Sequence, residues 1–183
     1  MAYKLILDSD VFRSKRIPMV KNLLEGVYAR RQTLTVAFVP SKKTGNNHII
    51  AVTDTSWSDN INDNRFKTSI PGIKASYYEI WSYENPDYVL QRAYFHLYKD
   101  YKNQDEKAYL LLHADPQDDD IHGDYKRSPH LHIKLQDEDD IIPHAHIALN
   151  LYDLDSIYKS IKEFDIAFKK SILMLKEQIL DQW

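Results

Sequence analysis

Cysteine is absent from this chain, and with it go disulfides, thiolate zinc sites and cysteine nucleophiles. Any metal must be held by histidine nitrogen and carboxylate oxygen. Glycine is scarce, with only four in 183 residues, so turns fall to Asn, Asp and Pro, while thirteen tyrosines favour extended, aromatic-rich strands. No apolar run approaches a membrane span, and Leu5-Ile6-Leu7 is too short for the core of a secretion signal. The expectation is a cytoplasmic protein that makes no membrane contact. Positive charge is not in excess either. A net charge of −3 argues against broad electrostatic binding to nucleic acid and leaves local basic pairs, of which Lys126-Arg127 is the one near the histidines described next. Phosphate-cradling glycine loops, Gly-x-Ser-x-Gly elbows, His-Glu-x-x-His helices and dinucleotide fingerprints are all missing.

What is present is a pair of echoing segments. Pro129-His130-Leu131-His132-Ile133 is answered fourteen residues later by Pro143-His144-Ala145-His146-Ile147, and together they hold half of the eight histidines. A strand sends alternate side chains to opposite faces, so each His-x-His pair faces one way and Leu131, Ile133, Ala145 and Ile147 face the other. If the segments pair as antiparallel strands, burying both apolar sets forces opposed residues to share parity. All four histidines then lie on one face. A tight turn would set His130 opposite His146 and His132 opposite His144. A looser connection would set His132 opposite His146.

The rest of the chain supplies a frame for that hairpin. Residues 17–29 predict a helix with Pro18 in its first turn, and residues 33–39 and 48–53 predict a hairpin. Residues 54–71 read as a long exposed loop anchored by Trp57 and Phe66. Residues 74–83, 88–98 and 108–113 predict further strands, with Tyr94, His96, Tyr98, Tyr109, Leu111 and His113 on the face of the histidine hairpin. From Asp153, a candidate N-cap, apolar residues recur at helical spacing as far as Ile179. The reading is one α+β domain over residues 1–183. It has an antiparallel sheet of about six or seven strands, with an N-terminal helix and a long C-terminal helix packed on one face.

A histidine face of this kind, expected to be open to ligand, supports definite chemistries. His130, His132, His144 and His146, with Asp115 or Asp124, suit a divalent transition metal such as zinc, manganese, iron or nickel, whose open position would activate water. Without metal, two histidines, His113 among the candidates, can act as general acid and base on a phosphodiester held by Lys126 or Arg127. A third reading is a non-catalytic face of histidine and tyrosine that docks a protein partner.

Pro129-His130-Leu131-His132-Ile133 also resembles the histidine-hydrophobe-histidine motif of HUH endonucleases, which cut single-stranded DNA. The resemblance implies a metal held by His130 and His132 on a strand of an antiparallel sheet, and a helix tyrosine, here Tyr158, attacking the phosphodiester. Lys159 and Lys162 differ from that family's Tyr-x-x-Lys spacing, and the second His-x-His is this chain's own. The sequence-based expectation is a histidine-based, metal-dependent hydrolase acting on phosphodiesters, nuclease-like, with single-stranded DNA or RNA as a partner and a toxin or defence setting.

Overall fold

Strand-forming sequence dominates the middle of the chain, and the two long helices frame it at both ends. The computed structural model describes residues 3–29, 32–40, 45–53, 58, 63–99, 107–118, 123–133, 145–149, 153–178 and 181, with backbone alone at 107–109, 123–124, 133 and 145–146. In chain order the elements are β1 (Ile6–Leu7), α1 (Ser9–Leu23), β2 (Leu34–Pro40), β3 (Asn47–Thr53), β4 (Phe66–Lys67), β5 (Ile73–Glu84) and β6 (Asp87–Lys99). Then come β7 (Lys107–Ala114), α2 (Gly123–Arg127), β8 (His130–Ile133), β9 (Ala145–Ala148), α3 (Leu154–Ile157) and α4 (Ile161–Gln178).

The strands form one antiparallel sheet in the order β2-β3-β5-β6-β7-β8-β9, with β1 added on β6 and β4 on β5. This is the α+β architecture that the sequence predicts, and the short connections between consecutive strands explain the meander. Helix α4 buries Ile161, Phe164, Phe168, Ile172 and Leu175 in the same core as Tyr77, Ala93, Phe95, Leu97 and Leu112 from the central strands. Each buried Leu, Ile or Phe among them contributes roughly 1.5–3 kcal/mol. Among the described residues, no helix is long and apolar enough to cross a membrane.

Three sequence-based expectations need correction. Helix α1 begins at Ser9 and ends at Leu23, not at 17 and 29, and Pro18 lies inside it. Asp8 caps it by accepting from the backbone N–H groups of Asp10 (2.8 Å) and Val11 (3.3 Å). Its first half reads as polar because Arg16 interrupts the stripe, yet Arg16 is fully buried through an ion pair with Glu79 of β5 and one with Asp165 of α4 at 2.6 Å. The C-terminal helical stripe is also divided. Helix α3 stops at Ile157, and Ser160 then restarts the helix by accepting from the Glu163 N–H at 3.3 Å.

The third correction concerns the histidine face, expected to be open. His130 is fully enclosed and His96 and His113 are each only 9% exposed, while Ile50, Val52 and Tyr78 form a second small core on that side. Of the predicted loop 54–71, Phe66 is buried as an anchor within β4, and Trp57 lies outside the described residues.

Candidate metal centre

Alternation and register together build the site. Tyr94 of β6 pairs with His113 of β7, which pairs with His130 of β8; on the next line His96 pairs with Leu111, Leu111 with His132, and His132 with His146 of β9. The hairpin thus takes the looser of the two expected registers. Opposed residues lie roughly 4.5–5.5 Å apart at Cβ, and the opposed rings of His113 and His130 have centroids 5.9 Å apart, with His132 packed diagonally between the strands. The ring centroids of His113 and His132 are 3.9 Å apart and those of His130 and His132 are 4.9 Å apart.

His113, His130 and His132 each offer a nitrogen, and the three ligand atoms all lie within 4.8 Å of one another. The residues form a cluster that can hold a metal ion. His130 is prepared for that role by its surroundings. Its Nδ1 lies 2.8 Å from the Ser128 carbonyl, which can only accept, so the proton sits on Nδ1 and the Nε2 lone pair is the one that a metal would use. That Nε2 lies 3.0 Å from His132 Nε2. Pro129 precedes the strand, where a missing N–H costs no ladder bond, and its carbonyl accepts from Leu149 N–H at 2.9 Å to fix the end of the hairpin.

Around the cluster stands a shell of polar partners. Tyr94 stacks on His113 with centroids 3.9 Å apart, and its hydroxyl donates to Asp115 at 3.0 Å. The other Asp115 oxygen is 3.9 Å from His130 Nε2, and Arg92 Nε approaches the carboxylate at 3.5 Å. Burial pushes the Asp115 carboxyl up to about 6, although the Tyr94 hydrogen bond and the Arg92 charge both pull it down. His96 Nε2 lies 2.7 Å from His113 Nε2, and burial pushes the His96 imidazole down to about 4 with help from the Arg65 charge. A polar cleft of about 300 Å³ opens beside Asp115, lined by Gln91, Arg92, Asp115, Gln117 and Asp118.

The remaining sequence-predicted residues fall around this centre in different ways. Lys126 Nζ sits 3.4 Å from the Asp118 carboxylate and Arg127 Nε donates to the Asp118 carbonyl at 2.7 Å, so both basic groups brace the turn that carries Asp115. Tyr158 lies in the hydrophobic core, stacked on Tyr3 at 4.7 Å, and burial raises its hydroxyl well above the usual phenol range. The register sets His146 opposite His132. The side chains of His146 and Asp124, and all of His144, lie outside the described residues.

His96, Tyr94 and Arg92 complete the site without having been singled out as site residues. Alternation puts His96 and Tyr94 on the histidine face, but only the order β6-β7-β8 sets them beside His113. Arg92 carries no sequence signal at all. The fold and site define an α+β protein with a large antiparallel sheet and a three-histidine cluster, His113 and His130 buried and His132 partly so, on the face away from α1 and α4. No protein-family model, curated protein or solved structure matches the chain.

Proposed function

We propose that this protein is a metal-dependent hydrolase acting on phosphodiesters, with one divalent transition ion held by His113, His130 and His132. The observation that carries the reading is the convergence of three imidazole ligand atoms within 4.8 Å in a chain without cysteine. Three protein ligands leave a coordination position for water, whose pKa a bound zinc ion brings to about 7. Asp115, 3.9 Å from His130, is placed to take the proton that such a water releases. Arg92, lining the adjacent cleft, supplies a guanidinium for the phosphate oxygens. A cleft of about 300 Å³ is at the small end for ligand pockets, which favours a flexible single strand or a small phosphodiester over a duplex.

The endonuclease resemblance would instead put Tyr158 on the phosphorus. Its burial in the core favours water as the nucleophile in our reading. A metal-free version of the same reaction is supported by the 3.0 Å approach of His130 to His132, a distance that also suits a proton shared between imidazoles.

The test is metal content and turnover in one preparation. The wild-type protein should bind about one equivalent of zinc or manganese and cleave a short single-stranded oligonucleotide or an activated phosphodiester. A folded His132→Ala variant should lose both, and Tyr158→Phe should keep both. Turnover that survives a chelator would move the chemistry to the histidines alone. The hydrolase reading falls if no substrate is cleaved under any metal.

A further inference from the structure

His96 and His113 meet through Nε2 atoms 2.7 Å apart, and that contact is the starting point for the role of His96. Two nitrogens bound to one ion at 2.0–2.1 Å are about 2.8–3.0 Å apart at a right angle and about 3.3–3.4 Å apart at the tetrahedral angle. The His130–His132 separation of 3.0 Å falls within that range. His96 stands outside the three residues whose ligand atoms converge, and its Nε2 lies within hydrogen-bonding distance of His113 Nε2. His96 is therefore a partner of a ligand, outside the ion's own shell.

The metal reading sets the direction of this hydrogen bond: were His96 the donor, a neutral His113 would carry its proton on Nδ1 and keep no lone pair for an ion. Beyond His96, its Nδ1 lies 3.2 Å from the Tyr98 hydroxyl, which in turn lies 3.4 Å from the Ser76 hydroxyl. A consistent chain runs outward: His113 Nε2–H donates to His96 Nε2, His96 Nδ1–H donates to Tyr98, and Tyr98 O–H donates to Ser76. His130 is held in the same manner from the other side, its Nδ1–H donating to the Ser128 carbonyl at 2.8 Å. Each of these two ligands then gives its second nitrogen to a fixed acceptor, which sets ring orientation and raises ligand basicity.

We infer that His96 is the positioning residue for His113, accepting from its Nε2–H and thereby assigning Nδ1 as the atom that binds the metal. The inference rests on the metal reading above and extends it to a centre of mixed ligation, Nδ1 from His113 and Nε2 from His130.

The experiment combines zinc titration with imidazole tautomers. In the zinc-loaded wild-type protein, long-range ¹H–¹⁵N correlations should show His113 protonated at Nε2 and ligated through Nδ1. His96→Leu should weaken zinc binding by about 10–100-fold. His96→Gln, whose amide oxygen can still accept from His113, should restore affinity near wild type. Ligation of His113 through Nε2, or unchanged affinity in a folded His96→Leu, would overturn the positioning role and leave the three-histidine site standing. Failure of the wild-type protein to bind zinc at all would overturn both. The tautomer measurement needs no variant, so it decides the matter even if His96→Leu does not fold.

Discussion

At the scale of single residues, Asp115 carries the clearest conflict between burial and charge. Its folded carboxyl titrates at about 6 against an ordinary 3.8, so the native state holds a proton that the unfolded chain has released. Stability therefore falls as pH rises from about 4 to about 6, and the full cost remains above that window. At about 1.4 kcal/mol per unit, metal-free Asp115→Asn should be more stable than wild type at pH 7.5 by up to about 3 kcal/mol, with the gap closing near pH 4. Urea unfolding at the two pH values measures it. A gap that stays constant with pH would show that the carboxylate is solvated. Zinc should narrow the gap at neutral pH, because a cation beside His130 favours the ionised form. His130, His132, His113 and Asp115 were legible in the sequence because residue type and alternation suffice to mark them. Arg92 was not, since an exposed arginine looks like any other until a carboxylate and a cleft are folded beside it.

Between elements, the decisive contact is one that the hydrophobic pattern conceals. Arg16 of α1 is clamped by Glu79 of β5 and Asp165 of α4, with its Nε 3.0 Å from Glu79 and two further bonds of 2.6 and 2.8 Å to Asp165. Trp81 Nε1 donates to the same Glu79 at 2.7 Å, and Tyr77 also donates to it. All the lone pairs of a buried carboxylate thereby find donors, which is the condition for an ion pair to be tolerated in a core. Arg16→Met should cost roughly 3–5 kcal/mol by leaving Glu79 uncompensated, whereas Asp165→Asn, at the partly exposed end of the network, should cost less. Denaturant midpoints of the two variants order the effects, and an Arg16→Met variant as stable as wild type would show the network to be dispensable. The same contact explains why periodicity misplaced α1: a charged residue counts as surface until its two partners, sixty-three and one hundred and forty-nine residues away, are known.

For the whole molecule, the apolar layer of α1 and α4 holds one side of the sheet, and the histidine cluster links β7 and β8 on the other, with His96 of β6 against it. Metal binding should therefore read out as global stability. At a free zinc concentration one hundred times the dissociation constant, the folded state gains about 2.7 kcal/mol. The thermal midpoint should rise with zinc and return with chelator, and His132→Ala should abolish the response. A midpoint that rises equally in the variant would place the zinc elsewhere.

The sequence alone determined the antiparallel α+β layout and the pairing of the strand of His130 and His132 with the segment that carries His146, because these follow from strand alternation, short connections and where apolar residues repeat. Only the tertiary structure decided the register of the hairpin, the burial of the histidine face, and the company of His113 with His96, Tyr94 and Asp115. Those depend on strand order and on which charges meet in the interior, and neither is encoded in the spacing of residues along the chain.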